Sequence, residues 1–596
     1  MSSLRLRRGI ATVSLSGLLA DKLTAAAAAG FDGVEIFDND LIASPLSPAE
    51  VAKRCADLGL SVDLFQPVRD VEGVSPRAFA TAERRFRAKL AVAAGLGARV
   101  VLVCSNVQAD AVDDPDLSAA QLARLGDLAA EHDIAIAYEA LAWGRHVDRV
   151  GRAWDIVQLA DHSHVTLAVD TFHMLSRGDG AEALDGVPGG RIGFLQVADA
   201  PVLDMNVLEW SRHHRSFPGQ GTMDVAAVVE KVVSAGYDGP LSLEVFSDVV
   251  REAPAADTAR DAIRSLAYLE DEVARRLPDA EPVAPATPRR LDGAFVELSS
   301  SASLEDLLGR LGFSIAGWHR HKPVVWWRNG GANVLVNQAA RTPALGLRAS
   351  PATDVARRAA QLGWSSVTVD RAADDTPLPG ITSPVGIPVF VSGEGSDDWR
   401  SDFAEGPQSP GPSDGWAGID HVGMGVPEGR LNEEVSFLHA LLGLQASPLE
   451  EFVDPHGRVR SRAFEPCEGD LRLVVNVLDT TDARREARAD GINQIAFACH
   501  DLVREVRRLR ANGVPLIAVP DNYYDDLAAR FDLTPDRVTE LRELGILYDR
   551  VGDGELLQAF TPVLGQGFYL ELLERRHGYR GYGAANAHVR LAAQHL

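Results

Sequence analysis

The chain has 596 residues, enough for three or four domains at roughly 150 residues each. Apolar residues make up 46% and charged residues 24%, which excludes collagen-like and wholly disordered architectures. Acidic residues outnumber basic ones 84 to 59, and the resulting net charge of −25 excludes a general nucleic-acid binder, because most of the surface would repel phosphate.

At the N-terminus Arg5, Arg7 and Arg8 precede an apolar stretch, and Arg7-Arg8 imitates a twin-arginine export signal. Ser14, Ser16, Asp21 and Lys22 interrupt that stretch, which reads better as a strand over 10–15 followed by an Ala-rich helix over 18–29. No run of 18 apolar residues occurs, so no membrane-spanning helix is expected. The four cysteines, Cys55, Cys104, Cys467 and Cys499, form no CxxC pair, which excludes a disulfide framework and a Cys-rich zinc module. These features predict a cytoplasmic protein with no membrane partner.

Strand-like runs follow at Gly33–Phe37, Ser61–Phe65, Arg99–Cys104, Ile134–Glu139, Val165–Asp170, Ile192–Val197 and Leu241–Val245. Amphipathic Ala/Leu/Arg-rich segments separate them, at 48–58, 76–95, 118–130, 147–159 and 225–235; the segment after the sixth strand is short and Gly-rich. Eight strands with crossovers predict a parallel (β/α)8 barrel over residues 1–277. A doubly wound open sheet is the alternative, but no GxGxxG loop follows the first strand.

A Pro/Ala-rich linker over 278–290 closes this domain. Residues 291–392 form a β-rich unit with a helix at Leu304–Leu311, and a Gly/Ser/Pro/Asp-rich linker over 393–417 follows. Residues 418–596 form a third unit with strands at 418–426, 471–477, 494–499 and 567–573. The last two units read as tandem βαβββ modules, an α+β half produced by duplication.

In such barrels the active site is built from the C-terminal ends of the strands. Those ends carry Glu35, Asp63 with Gln66 and Arg69 beyond it, Ser105, Glu139, Asp170 with His173, Gln196, and Glu244. Glu139, Asp170, Gln196 and Glu244 follow four successive strands and converge on one rim. Three unpaired carboxylates so close together would repel, so a divalent cation is the natural partner. An all-oxygen set favours Mg²⁺ or Mn²⁺, with Co²⁺ compatible. Arg69 and Arg215, on different loops, suit a carboxylate-bearing small-molecule substrate. His173 is placed as a general acid/base, titratable near neutrality.

The segments Tyr138-Glu-Ala-Leu-Ala-Trp-Gly-Arg-His-Val147, Asp170-Thr-Phe-His173, Leu195-Gln-Val-Ala-Asp199 and Leu243-Glu-Val-Phe246 resemble the bacterial 3-dehydroshikimate dehydratases. In that family a sugar-phosphate-isomerase-like barrel is fused to a 4-hydroxyphenylpyruvate dioxygenase-like half, and the resemblance covers essentially the whole chain. It implies metal-dependent dehydration of 3-dehydroshikimate to protocatechuate in quinate and shikimate breakdown. It also implies Glu139, Asp170, Gln196 and Glu244 as metal ligands, His173 as catalytic acid/base, and Arg69, Ser211 and Arg215 as substrate contacts.

The C-terminal half is similar to the vicinal-oxygen-chelate superfamily. Ile419-Asp-His421 resembles the entry strand that brings a histidine to iron, and Glu571 in Tyr569-Leu-Glu571 occupies the position of the last ligand. The middle strand departs, with Gln494 where the family has histidine. The resulting His421, Gln494, Glu571 set favours Mg²⁺ or no metal over ferrous iron. The first module shows no ligand triad and reads as a packing partner, with homo-oligomer formation an open possibility for this half. Two other readings compete: a sugar or inositol isomerase or epimerase on the same barrel, and a non-catalytic effector-binding protein. The paired arginines argue against the first, since neutral sugars need no carboxylate clamp.

Overall fold

The computed structural model describes residues 6–406, 416–454, 457–478, 491–565 and 567–595. Arg5 of the export-like stretch and residues 407–415 of the second predicted linker lie outside the described residues. The chain divides into two compact units, Met1–Ala284 and Pro285–Leu596.

The first unit is a closed parallel barrel of eight strands in sequence order. They are β1 (Arg8–Ala11), β2 (Gly33–Phe37), β3 (Ser61–Val68), β4 (Val100–Cys104), β5 (Ala135–Glu139), β6 (Val165–Asp170), β7 (Ile192–Val197) and β8 (Leu241–Leu243). β1 pairs with both β2 and β8, which leaves no free sheet edge. Helices cross over between strands and start on sequence-encoded caps, such as the Ser47–Glu50 capping box and Asp114 ahead of Pro115.

β1 is shorter than predicted and turns at Thr12–Ser14 instead of running on to residue 15. Two hydroxyls explain the turn. Thr12 Oγ1 accepts the N–H of Phe37, and Ser14 Oγ accepts the N–H of Val245, so both are spent joining β1 to its neighbours.

Side chains alternate along a strand, so residues two apart share the barrel interior. Leu64, Leu102, Ala137, Ala168 and Phe194 form a dry apolar layer inside the cylinder. Two residues further along each of those strands stand Gln66, Cys104, Glu139, Asp170 and Gln196. The period-two pattern therefore sets a polar layer directly above a hydrophobic floor at the strand C-terminal ends.

The second unit holds two mixed sheets. The first contains β9 (Asp292–Ser299), β10 (Ser314–His319), β11 (Val324–Asn329), β12 (Ala332–Asn337), β13 (Ala344–Arg348), β14 (Gly380–Thr382), β15 (Pro388–Ser392) and β16 (Phe403–Glu405). Their order is β14-β15-β13-β9-β12-β11-β10-β16.

The second contains β17 (Trp416–Pro427), β18 (Gln445–Ala446), β19 (Glu450–Asp454), β20 (Gly457–Glu465), β21 (Leu473–Leu478), β22 (Gly491–Cys499), β23 (Leu547–Val551), β24 (Gly554–Phe560) and β25 (Tyr569–Arg576). Their order is β18-β20-β21-β17-β22-β25-β24-β23, with β19 paired to β20. In both sheets the central antiparallel pair, β9·β13 and β17·β22, is made of strands that each lead into a helix. The predicted duplication is thus visible in topology, where sequence similarity between the modules is faint. Among the described residues no helix is long and apolar enough to cross a membrane.

Candidate active site in the barrel

Four carboxylates stand at the barrel mouth with almost no solvent contact: Glu35 (0% exposed), Glu139 (2%), Asp170 (3%) and Glu244 (4%). Asp170 caps the short helix Thr171–Ser176: its Oδ1 accepts the His173 N–H at 2.9 Å, and its Oδ2 accepts from Arg215 Nη1 at 2.9 Å. The same Nη1 lies 3.2 Å from Glu244 Oε2 and 3.1 Å from the Glu244 carbonyl oxygen. Glu139 Oε2 accepts from the Cys104 thiol at 3.2 Å, across the register pair Cys104–Glu139. Glu139, Asp170 and His173 each offer an atom within 4.8 Å of the others.

Gln196 sits beside Asp170 on β7 in direct register. Its Nε2 donates to Glu35 Oε2 at 2.7 Å, and Gln66 Nε2 donates to the same oxygen at 2.8 Å, while Ser242 Oγ donates to Oε1. Glu35 therefore orients the Gln196 amide and leaves its oxygen as the free end. Among the described residues Gln196 Oε1 and Glu139 Oε1 are buried without a hydrogen-bond partner. A buried polar atom left unpaired is costly, and two of them in one site mark a place for a ligand.

The electrostatics agree. Burial pushes the Glu35 and Glu139 carboxyls well above the carboxylate range; Glu244 adds to both shifts, and Asp170 adds to that of Glu139. Burial drives Glu244 up to about 7 even though Arg215 opposes it. Only Asp170 is held below its ordinary value, because Arg215 and His173 outweigh its burial. One buried guanidinium does not balance this set, and a divalent cation would. The donors Glu139, Asp170, Gln196 and Glu244 thus fit a hard metal ion.

His173 is buried with its two ring nitrogens facing donors. Nδ1 accepts the Ala142 N–H at 3.2 Å, and Nε2 lies 3.2 Å from Arg215 Nη2. An imidazolium would turn an N–H against a donor on each side, so the geometry favours the neutral ring. Burial and Arg215 lower its pKa to about 4 in spite of Asp170. With Nδ1 accepting, the neutral ring carries its hydrogen on Nε2, which lies 3.8 Å from Glu139 Oε1 and 4.0 Å from Asp170 Oδ2.

The two arginines differ from the sequence expectation of a paired clamp. Arg215 is 2% exposed and lies between the Phe172 ring (4.6 Å) and the Phe246 ring (5.3 Å). Its Nη2 and Nε donate to Ser211 Oγ at 2.8 and 3.3 Å, so each nitrogen of its guanidinium already has an acceptor. Arg215 and Ser211 form a fixed internal cation. Arg69 is exposed, and its charge reaches Glu244 and Cys104 from the mouth.

The loop that carries Ser211 and Arg215 is tied down by Asp199, which sequence reasoning did not single out although it closes the Leu195–Asp199 motif. Its carboxylate accepts the N–H groups of Ala200, Gly219, Gly221 and Met223. Glu35 was legible as a strand end, but its grip on Gln196 was not.

In the second C-terminal sheet His421, Gln494 and Glu571 do meet. Gln494 Nε2 is 2.9 Å from His421 Nε2 and also donates to Glu571 Oε2, and His421 Nε2 lies 3.3 Å from Glu571 Oε2. The Gln494 oxygen is occupied by the Tyr569 hydroxyl at 2.6 Å. Glu571 and Asp420 outweigh burial and raise the His421 pKa to about 9. Without an ion the three side chains are held together by these hydrogen bonds and the His421–Glu571 ion pair.

The first module, read from sequence as lacking any triad, brings His319, Asp375 and Asp402 within 4.8 Å. Lys322 Nζ lies 3.4 Å from Asp375 and Arg371 Nη1 3.5 Å from Asp402, so protein cations already balance these carboxylates.

With the geometry in place, known proteins give the context. The xylose isomerase-like TIM barrel family matches residues 23–269, and the glyoxalase/bleomycin resistance protein/dioxygenase superfamily matches residues 418–539. The chain is 40% identical to the 3-dehydroshikimate dehydratase of Pseudomonas putida, over 99% of this chain and 98% of that protein. It is 41% identical to the protein of the same name from Pseudomonas aeruginosa, again over 99% and 98%. A solved xylose isomerase-like TIM barrel/4-hydroxyphenylpyruvate dioxygenase fusion protein superposes with a TM-score of 0.88 at 38% identity, covering 99% of each chain.

Proposed function

The chain belongs to the 3-dehydroshikimate dehydratase family, and from that premise we propose that its barrel domain, residues 1–277, is a metal-dependent hydro-lyase converting 3-dehydroshikimate to protocatechuate. The observation that carries the residue-level reading is the pair of unpartnered buried oxygens, Gln196 Oε1 and Glu139 Oε1, beside Asp170 and Glu244.

These four side chains would hold Mg²⁺, Mn²⁺ or Co²⁺. When bound, such an ion supplies Lewis-acid polarisation of the substrate ketone, which makes the adjacent C–H acidic. His173 takes that proton on Nε2 in the tautomer that carries its hydrogen on Nδ1, which opens the 3.2 Å contact with the Ala142 N–H. The ring C–O bond then breaks, the proton returns to the departing hydroxyl, and water leaves. A further enolisation completes the aromatic ring, which makes the step strongly downhill and needs no redox partner. Arg69, exposed at the mouth, receives the substrate carboxylate, while Arg215, braced by Ser211, keeps Asp170 ionised and opposes the upward shift of Glu244. Residues 278–290 are a linker, whereas the second predicted linker, 393–417, is taken into the first module as far as β16 (Phe403–Glu405), which pairs with β10, and into β17 from Trp416; both vicinal-oxygen-chelate modules stand outside the chemistry.

Absorbance of the catechol product gives a direct test. Metal-stripped protein is expected to be inactive on 3-dehydroshikimate and to regain turnover on adding Mg²⁺, Mn²⁺ or Co²⁺. Full activity after rigorous chelation would remove the metal from the reaction.

A second expectation concerns the division of labour. The hydrophobic clusters of the barrel lie entirely between Ile10 and Val273. Residues 1–290 expressed alone are therefore expected to fold cooperatively and retain measurable dehydratase activity. A folded but wholly inactive truncation would show that the C-terminal half completes the site.

A further inference from the structure

A half-open pocket lies in the first module, which the sequence suggested had only a packing role. The cavity is about 260 Å³, against about 50 Å³ over His421, Gln494 and Glu571 in the second module. It opens on one face of the first sheet: Phe295 and Glu297, Leu335 and Asn337, and Pro388 and Phe390 are pairs two residues apart on three strands.

One wall is aromatic and rigid. Trp399 is 1% exposed and packs edge-on against Phe295 (5.0 Å), Trp326 (5.1 Å) and Phe403 (5.6 Å). Beside that wall the lining is polar, with His319, whose ring is 5.3 Å from that of Phe403, and with Asp402, Lys322 and Arg371, and Arg341 is exposed. Lys322 and Arg371 are balanced by Asp375 and Asp402. Arg341 has no carboxylate partner among the described residues. Glu297 is held by the Asn337 amide at 2.9 Å, and its burial disfavours the anion. The lining itself carries three cations, Lys322, Arg341 and Arg371, against two carboxylates, Glu297 and Asp402, around a space that accommodates a single six-membered ring.

We infer that the first C-terminal module is a binding site for a small aromatic monocarboxylate, with the ring against the half-buried Phe403, Val367 and Leu378 and the carboxylate toward Arg341, Lys322 and Arg371. The barrel's own product belongs to this chemical class, so the module would sense the compound that the other half makes. That last point rests on the proposed dehydratase activity; the binding itself does not.

The test uses the full chain and benzoate, which lacks the catechol that could chelate a barrel metal. Isothermal titration is expected to give one site with Kd roughly between 10 µM and 1 mM, a range set by ligand size. Benzamide and benzylamine are expected to bind at least tenfold more weakly. Arg341→Glu reverses the rim charge, and Val369→Trp fills the mouth from a position already 39% exposed, so neither disturbs the core. Each is expected to weaken benzoate at least tenfold while dehydratase kcat/KM stays unchanged. Protocatechuate is expected to compete with benzoate for this site. No benzoate binding at 10 mM, equal binding of benzamide, tighter binding of benzylamine, or benzoate binding that both variants leave intact but Arg69→Ala abolishes would each overturn the inference.

Discussion

Replacing Glu139 with alanine is expected to lower kcat/KM by at least about 10³-fold, equivalent to about 4 kcal/mol of transition-state stabilisation. Glu139 offers a buried oxygen with no protein partner, and its other oxygen is held by the Cys104 thiol at 3.2 Å. Its removal takes away one ligand and the group that fixes the direction of its neighbours' charge. The metal-free fold is not expected to suffer. Glu139 is pressed against Asp170 and Glu244, so deleting it relieves like-charge repulsion and offsets the small cavity left behind. Activity is therefore expected to collapse while the metal-free melting temperature holds or rises. Thermal melts with and without Mn²⁺ give the complementary readout: wild type is stabilised by the ion through mass action, and the variant much less. Undiminished turnover would remove Glu139 from the ligand set.

Replacing His173 with glutamine is expected to reduce kcat about 10²- to 10⁴-fold with little change in KM or in metal affinity. The ring lies close enough to Glu139 and Asp170 that a ligand role is the competing explanation, with all three groups within 4.8 Å. The two roles separate cleanly. A proton carrier leaves the metal site intact when lost, so titration of Mn²⁺ into His173→Gln should match wild type while turnover falls. A ligand would take metal affinity down with it, by the 10- to 100-fold seen when groups supporting a site are removed or by more. Burial and Arg215 push the ring's pKa down to about 4, so it is neutral at pH 7 and keeps one lone pair with which to accept a proton.

The barrel was readable because its signal is periodic. In β3 to β7 an inward-facing apolar residue is followed two positions later by Gln66, Cys104, Glu139, Asp170 or Gln196, and that spacing dictates both the floor and the site above it. The convergence of Glu139, Asp170, Gln196 and Glu244 followed from strand order alone. What could not be read is contact between side chains far apart in sequence. Glu35 and Gln196 are 161 positions apart, and nothing local announces that one orients the other. Arg215 illustrates the same limit. Its loop position suggested a substrate clamp, but burial between Phe172 and Phe246 and bonds to Ser211, Asp170 and Glu244 make it an internal counter-charge.

In the C-terminal half, strand runs such as Gly491–Cys499 were visible, yet the closure of Gln494 by Tyr569 depends on a pairing with β25 that its own segment does not encode. The cavity of the first module is lined from β9, β12 and β15 together with residues between 340 and 378, a juxtaposition that no single segment encodes.

The central claim is that one divalent cation is held by four oxygen donors at the barrel mouth, and anomalous scattering from Mn²⁺-soaked crystals tests it most directly. The expected result is a single strong barrel peak at roughly 2.1–2.3 Å from oxygens of Glu139, Asp170, Gln196 and Glu244. A protein that is active with Mn²⁺ but shows its barrel peak elsewhere, or holds those four side chains turned away from any peak, would contradict it.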